Sequence, residues 1–178
     1  MNPWTKKKSE CVYSNKWISV HHEEVIDPSG AEGIYGRVHF KNKAVGILPL
    51  DHEGYTYLVG QYRYPLDEYS WEIPEGGSPE GQSTLDSAKR ELVEETGIKA
   101  KDWSELMELH TSNSVTDEYA IVYLARDLQF GQAMPESTED LKIKKLPVKE
   151  AIRWVVEGKI TDAISVAALL KYSHLYLK

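Results

Sequence analysis

Stretches in which apolar and polar residues alternate make up much of the first half of the chain. Alternation with a period of two is typical of β-strands, and Gly, Pro, Asp and Ser between such stretches are typical of turns. The pattern predicts a hairpin from residues 16–25 and 33–40 around the DPSG turn. It predicts a second hairpin from residues 44–50 and 55–63 around DHEG, then a short strand at residues 71–74.

The second half of the chain mixes extended and helical patterns. A helix is expected to begin after Ser83 or Thr84, which can cap it, and to end at Gly97, which suits a left-handed backbone. Later helices are expected near the C-terminus, the last one capped by Thr161. Strands dominate and the helices do not alternate strictly with them, so we predict an α+β fold with helices packed on a sheet. Further strands are expected at residues 104–112, 118–128 and 141–147, and helices at residues 148–158 and 161–177.

Composition limits the classes of protein to which the chain can belong. The 178 residues, 41% of them hydrophobic, suit one compact domain or one domain with a small N-terminal addition. The sequence has no apolar run near the roughly 20 residues of a membrane span, and the basic start lacks the apolar stretch of a signal peptide, so we predict a cytoplasmic protein without a membrane partner. The single Cys11 excludes an internal disulfide, and a net charge of −7 argues against stable nucleic-acid binding.

The helix after Ser83 carries three acidic residues close together. Glu91 and Glu95 are one turn apart on one face, and Glu94 lies beside them. Arg90 can reach Asp86 or Glu94, each four residues away. The face is either a solvated acidic surface with one ion pair or a binding site for a cation that cancels the repulsion.

A longer motif favours the cation. The segment GGSPEGQSTLDSAKRELVEETGI, residues 76–98, resembles the Nudix box, G-x5-E-x7-R-E-U-x-E-E-x-G-U, where U is aliphatic. One position departs from the pattern, because Gln82 occupies the place of the first glutamate. The positions in register are Gly76, Arg90, Glu91, Leu92, Glu94, Glu95, Gly97 and Ile98.

The resemblance implies an α/β/α sandwich around a mixed sheet and hydrolysis of nucleoside diphosphates with Mg²⁺, or Mn²⁺, as cofactor. It implies that Glu91, Glu95 and the carbonyl of Glu75 bind the metal. It leaves Glu94 either as a third ligand or as a partner of Arg90, and it gives Arg90 a structural role in fixing the glutamates. Gln82 adds no charge, so an outer metal site is weakened.

The similarity extends to ADP-ribose and nucleoside-diphosphate-sugar pyrophosphatases, through LVGQYRYPLDEYSWEIPEGG at residues 58–77. It implies that Arg63 contacts substrate phosphates, the alternative being a surface pair with Asp67 or Glu68. Glu72 should face the same cleft, on a metal-bound water or a sugar hydroxyl. The resemblance assigns the catalytic base to Glu139, with Glu136 as second choice.

The N-terminal segments KWISV, at residues 16–20, and VIDPSGAEGIYGRV, at residues 25–38, resemble the dimerisation segment of ADP-sugar pyrophosphatases. We therefore expect residues 1–42 to form a β-hairpin extension to a Nudix domain at residues 43–178, and the protein to be a homodimer. The resemblance places Trp17 and Tyr35 on either side of the base, with Arg37 near a phosphate or ribose. The alternative is that both aromatic residues only pack in the core or an interface.

The predicted function is metal-dependent cleavage of the pyrophosphate bond of a nucleoside diphosphate sugar, such as ADP-ribose or GDP-mannose, into a nucleoside monophosphate and a sugar phosphate. Two alternatives remain. The enzyme could act on a dinucleotide or an RNA 5′ end, although RNA would require a basic track that the charge does not supply. The chain could instead be a catalytically weak nucleotide-binding protein, for which Gln82 is the sequence hint.

Overall fold

A computed structural model describes residues 1–133 and 141–177. Its elements are β1 (Thr5–Ser14), β2 (Ile18–Ile26), β3 (Glu32–Phe40), β4 (Asn42–Pro49), β5 (Tyr55–Arg63), β6 (Glu68–Glu72), β7 (Glu75–Pro79), α1 (Thr84–Thr96), β8 (Ile98–His110), β9 (Tyr119–Phe130), β10 (Lys142–Pro147), α2 (Val148–Val156) and α3 (Ala163–Tyr176). No helix in the described ranges has the length and apolar character of a membrane span.

The strands form three sheets, with orders β1-β2-β3, β10-β5-β6 and β7-β4-β9-β8. In the four-stranded sheet β4 runs parallel to β9, whereas the β4–β7 and β8–β9 pairs are antiparallel. This sheet is therefore mixed, and the α+β prediction with a mixed sheet is confirmed.

Helices cover both faces of the four-stranded sheet. Along β4, Val45 and Ile47 pack in one hydrophobic cluster, which includes Leu92 of α1. Leu48 lies in the other cluster, which includes Leu169 of α3. Successive side chains of a strand point to opposite faces, so the near-continuous apolar run of β4 fills two cores at once. The result is the expected layering of helix, sheet and helix.

The second predicted hairpin is wrong. The DHEG turn exists, with Asp51 Oδ1 accepting the N–H groups of Glu53 at 3.0 Å and Tyr55 at 2.9 Å. However, β4 pairs with β7 and β9, while β5 pairs with β6 and β10. The backbone link between the two strands in the described chain is a single bridge from Leu50 to Thr56. The local pattern predicts the turn, but distant segments decide the pairing.

The predicted N-terminal hairpin is present as β2 and β3, but it belongs to a three-stranded sheet. The sequence pattern missed β1, whose ten residues are all exposed and therefore show no apolar alternation. The sheet joins the remaining chain through β3, where Val38 bridges Thr116 and Tyr35 Oη donates to the Ser114 carbonyl. The last helix also begins one residue later than expected, because Asp162, and not Thr161, caps it.

Candidate active site

Helix α1 is held at both ends as the sequence predicted. Ser83 is its N-cap, with its hydroxyl accepting the Asp86 N–H at 3.3 Å. Gly97 follows its last turn with φ of 70° and donates its N–H to the Val93 carbonyl. These caps and the buried apolar side of the helix fix which residues face β7.

The acidic side of α1 lies against the start of β7. Glu95 is only 2% exposed, and its Oε2 accepts the Glu75 N–H at 3.0 Å. A Cβ added to Gly76 would lie 2.2 Å from Glu91 Cδ, so only glycine allows this approach. Residues 75–79 form the strand β7, which brings the predicted ligands Glu75, Glu91 and Glu95 together.

Arg90 fixes the outer glutamates of α1. Its Nη1 lies 2.7 Å from Glu94 Oε2, and its Nη2 lies 2.7 Å from Glu91 Oε1 and 3.0 Å from the Gly77 carbonyl. Of the two partners that spacing allowed, the structure selects Glu94, while Asp86 pairs with Lys89. Burial lowers the pKa of Arg90, but Glu91 and Glu94 reverse this effect and raise it overall.

Arg63 forms a second charged centre on the other side of β7. Its Nε and Nη2 form a fork on the carboxylate of Glu72, with distances of 2.9 Å and 2.5 Å, and Nη2 lies 2.6 Å from Glu75 Oε1. The surface pair with Asp67 or Glu68 does not form, since Asp67 instead accepts from Tyr62. Glu72 is 2% exposed, and its carboxylate accepts from Gln61 Nε2 at 3.4 Å as well as from Arg63.

The sequence analysis missed Asp162, the cap of α3. Its Oδ2 accepts the Ser165 N–H at 2.7 Å. Carboxylate oxygens of Glu72, Glu75 and Asp162, which we call the acidic cluster, lie within 4.8 Å of one another. Nothing around Asp162 in the sequence signals this, because the contact depends on how the start of α3 meets the segment between β6 and β7, where Ser165 Oγ accepts the Ile73 N–H at 2.9 Å.

The acidic cluster has more negative charge than Arg63 neutralises. Burial and the charges of Asp162 and Glu72 raise the pKa of Glu75 well above its usual range, although Arg63 opposes them. Glu75 Oε2 is buried and has no hydrogen-bond partner in the described ranges. Clustered carboxylates of this kind are the ligands that hard divalent cations prefer, so the donor set fits such a cation.

A cleft of about 360 Å³ opens at these charged groups. Arg63, Glu75 and Glu95 line it, as does Trp17, which lies in the turn between β1 and β2. Asn42 and Lys43, at the start of β4, also line it, and the sequence analysis missed both. A lysine at the start of a strand is usually a solvated residue, so its spacing carried no signal.

Within one chain, Trp17 lines the cleft, whereas Tyr35 lines a different cavity. Tyr35 packs edge-on against Trp4, with ring centroids 5.5 Å apart, beside a separate cavity of about 360 Å³. Arg37 lines that cavity as well and pairs with Glu23 and Asp117. A base between Trp17 and Tyr35 would therefore need one aromatic residue from each of two copies of the chain.

The remaining predicted residues are Glu139 and Glu136. Both lie outside the residues that the structure describes, so the assignment of the catalytic base stays a prediction.

Comparison with known proteins gives the class to which this site belongs. The NUDIX domain model matches residues 40–165, and the model of the nucleoside diphosphate sugar hydrolase N-terminal domain matches residues 4–38. The chain belongs to the Nudix family.

Particular relatives cover most of the chain. An ADP-ribose pyrophosphatase of Mycobacterium tuberculosis is 33% identical over 168 residues, covering 91% of this chain and 79% of the relative. One from Bacillus subtilis is 31% identical, covering 90% and 87%. The crystal structure of an ADP compounds hydrolase superposes with a TM-score of 0.86 at 23% identity, covering 96% of this chain and 92% of the other, which confirms the fold.

Proposed function

We propose that this protein hydrolyses the pyrophosphate bond of ADP-ribose or a related nucleoside diphosphate sugar, giving a nucleoside monophosphate and a sugar phosphate. The observation that carries the proposal is the convergence of Glu75, Glu95 and Arg63 on one cleft, next to the Arg90-held Glu91. The names of the M. tuberculosis and B. subtilis relatives support the choice of ADP-ribose.

The proposed cofactor is Mg²⁺, with Mn²⁺ as the alternative. Glu91, Glu95 and the carbonyl of Glu75 would hold it, and the excess negative charge of the acidic cluster would favour it. A divalent cation at this position would offset the charge of the diphosphate and lower the pKa of a bound water. Arg90 would act as a positioning residue, because its contacts with Glu91 and Glu94 restrict their side-chain rotamers.

Arg63 would bind the diphosphate. Its guanidinium lines the cleft, and its Nη1, which takes no part in the contacts with Glu72 and Glu75, can donate to a phosphate oxygen. Glu72, buried behind Arg63, would hold the guanidinium plane toward the cleft. The base that activates water would be Glu139, or Glu136, on the segment after β9.

We also propose that residues 1–42 are a dimerisation unit attached to a Nudix domain at residues 43–178. The N-terminal sheet has little core of its own: Tyr13 and Ile34 are 55% and 70% exposed, and Val25 is its only buried hydrophobic residue in the described chain. Such a sheet gains most stability by packing against a second copy. The resulting assembly would bring a second set of N-terminal aromatic residues toward the cleft.

A coupled phosphatase assay tests the activity. Phosphate release is measured with ADP-ribose, GDP-mannose, UDP-glucose and a diadenosine polyphosphate, with Mg²⁺, with Mn²⁺ and with EDTA. We expect metal-dependent cleavage of a nucleotide sugar. Preferential cleavage of the dinucleotide would favour the dinucleotide alternative, and no cleavage would favour the binding-protein alternative.

A matched pair of variants locates the activity. Glu95→Gln keeps an acceptor for the Glu75 N–H but removes the charge, so it should fold normally and lose about 100-fold or more in kcat/KM. Glu105→Gln changes an exposed glutamate of β8 in the same way and should match the wild type. Equal rates for the wild type and Glu95→Gln, with circular dichroism unchanged, would remove α1 from the mechanism.

A further inference from the structure

A second cavity continues from the cleft toward the turn before α1. It has a volume of about 460 Å³, within the range of roughly 300–1,000 Å³ that is typical of small-molecule sites. It shares Phe40, Asn42 and Lys43 with the cleft, so the two spaces adjoin at the start of β4. We call it the side cavity. Its other principal lining residues are His39, Ser78, Gln82, Asp117 and Tyr119.

We propose that the side cavity binds the sugar of the nucleoside diphosphate sugar, and that Asn42 and Gln82 determine which sugar is accepted. This assignment rests on the proposed function, since it divides one substrate between two adjoining spaces. The diphosphate would lie in the cleft at Arg63, and the sugar would lie beyond Asn42.

The register of β7 with β4 gives the distance between the cleft and the side cavity. On β7, Gly76 pairs with Val45, and Ser78 pairs with Lys43. Neighbouring residues of a strand are about 3.3 Å apart, so Ser78 is about 7 Å farther along β7 than Gly76. Gly76 lines the cleft and Ser78 lines the side cavity, so a group that extends along β7 from the cleft for about one sugar ring reaches the side cavity.

The chemistry of the lining suits hydroxyl groups. An amide side chain both donates and accepts hydrogen bonds, which matches the dual character of a sugar hydroxyl. Asn42 Nδ2 lies 3.2 Å from the place where a Cβ on Gly77 would be, so the absence of a side chain at Gly77 leaves room for this amide between the two spaces. The Gln82 side chain has no hydrogen-bond partner within the described ranges, whereas its backbone N–H bonds to the Pro79 carbonyl at 3.1 Å.

The opposite wall of the side cavity is already ordered. Asp117 accepts the Phe40 N–H at 2.8 Å and lies 2.7 Å from His39 Nδ1. These bonds connect β3 to the segment before β9, so this wall does not have to form when the sugar binds. A preformed polar wall lowers the ordering cost of binding.

The position of Gln82 gains a specific role from this arrangement. The box pattern has a glutamate here, and the expected effect of Gln82 was a weakened outer metal site. In the structure Arg90 contacts Glu91, Glu94 and the Gly77 carbonyl, while Gln82 lines the side cavity. A neutral amide adds hydrogen-bonding capacity beside the substrate without adding to the negative charge of the site.

The aromatic residue Trp17 lies away from the side cavity. Trp17 lines the cleft and is absent from the lining of the side cavity. A base gains more from stacking on an aromatic ring than from a set of amides and hydroxyls. The base is therefore assigned to the Trp17 side and the sugar to the polar side.

Comparing each substrate with the nucleoside diphosphate that lacks its sugar tests the assignment. ADP is used as a competitive inhibitor of ADP-ribose hydrolysis, or GDP for GDP-mannose, with Gln82→Ala and Asn42→Ala. We expect kcat/KM for the nucleotide sugar to fall by about tenfold in each variant, one hydrogen bond being worth about a factor of ten. The Ki of the nucleoside diphosphate should stay within about twofold of the wild type.

Gln129→Ala, at an exposed position of β9, is the matched control and should leave both constants unchanged. An equal rise in Ki and fall in kcat/KM would overturn the assignment, because the cavity would then hold the nucleoside. Unchanged kcat/KM in Gln82→Ala would overturn it as well, and this variant changes only an exposed side chain, so it tests the proposal even if Asn42→Ala does not fold. Failure of the wild type to hydrolyse any nucleotide sugar would instead overturn the proposed function, a result distinct from these.

Discussion

Arg63 and Arg90 each contact two glutamates, but their surroundings differ. Arg90 and its partners lie on one helix, and the side chains of Arg90, Glu91 and Glu94 are 40%, 12% and 30% exposed. The partners of Arg63 come from β6 and β7, and the side chains of Glu72 and Glu75 are 2% and 13% exposed. The contacts of Arg90 follow from helical spacing, and solvent partly screens their charges. The contacts of Arg63 follow from tertiary packing and have little water to screen them, so its ion pairs should matter more.

The most direct test of this difference is to remove each arginine. Arg63→Ala leaves the buried Glu72 unpaired and should lower the free energy of unfolding by about 3 kcal/mol. Arg90→Ala exposes its partners to water and should cost about 1 kcal/mol or less. Urea unfolding measures both values. Adding Glu72→Gln to Arg63→Ala should recover part of the loss, and equal losses for the two arginines would contradict the comparison.

A second test moves a carboxylate without removing its charge. Gly76→Ala places a methyl group where the Glu91 carboxylate now lies. Glu91 must then swing away from β7, and kcat/KM should fall by about 100-fold, the usual loss for a catalytic group misplaced by about 1 Å.

The matched control for Gly76→Ala is Gly36→Ala, on β3, where no atom lies within 4 Å of the added methyl group. Its kcat/KM should match the wild type. The fold is also expected to tolerate Gly76→Ala, with a stability loss of about 1 kcal/mol, because the displaced atoms are the end of one side chain. An active Gly76→Ala variant would show that Glu91 need not lie against β7.

A third test reduces the negative charge of the acidic cluster. Asp162→Asn keeps a side-chain cap for α3 but removes one charge next to Glu72 and Glu75. Without divalent cations the variant should be more stable than the wild type by on the order of 2 kcal/mol, since like charges repel in a poorly screened site. Thermal unfolding with EDTA and with Mg²⁺ measures this, and Mg²⁺ should stabilise the variant less than the wild type.

Asp86→Asn is the control for Asp162→Asn, because Asp86 is an exposed residue in the first turn of α1. It should show neither the gain in EDTA nor the smaller response to Mg²⁺. A destabilised Asp162→Asn variant would mean that Arg63 already balances the charges.

The smallest expected effect concerns Asp51, whose negative charge is balanced by the ammonium group of Lys145. Burial raises the pKa of Asp51, but hydrogen bonds from the Tyr55 N–H, Lys145 and Tyr57 reverse this and hold it below its usual range. Ionised Asp51 therefore stabilises the fold above its unfolded-state pKa of about 4, and this contribution is lost as the pH falls through its folded-state pKa. Asp51→Asn should cost about 1 kcal/mol at pH 7 and less at pH 3, measured by urea unfolding at both pH values. A cost that does not change with pH would mean that its charge is irrelevant.

The sequence predicted the parts of this molecule that depend on neighbours along the chain. The helix α1 and its end at Gly97 follow from the local sequence, which also limited the N-cap to Ser83 or Thr84 and the partner of Arg90 to Asp86 or Glu94. The β2–β3 hairpin follows in the same way, because Asp27 Oδ1 accepts the Ala31 N–H within the turn itself.

The sequence did not predict what depends on distant segments. Asp162 joins Glu72 and Glu75 only because α3 packs against the sheet, with Ser165 Oγ accepting the Ile73 N–H at 2.9 Å. Asn42 joins the site for the same kind of reason, through the pairing of β4 with β7. The predicted second hairpin was wrong because β4 pairs with β9, a strand so far along the chain that no local pattern identifies it as the partner.

This parallel pairing has a consequence for synthesis on the ribosome. The strand β4 can pair with β9 only after Ala120, the partner of Ala44, has been translated. Asp162 is translated later still. Contacts between segments so far apart form slowly, because a long loop must close first. On a growing polypeptide the acidic cluster therefore becomes complete only after residue 162 has been translated, well after Glu72 and Glu75 have emerged.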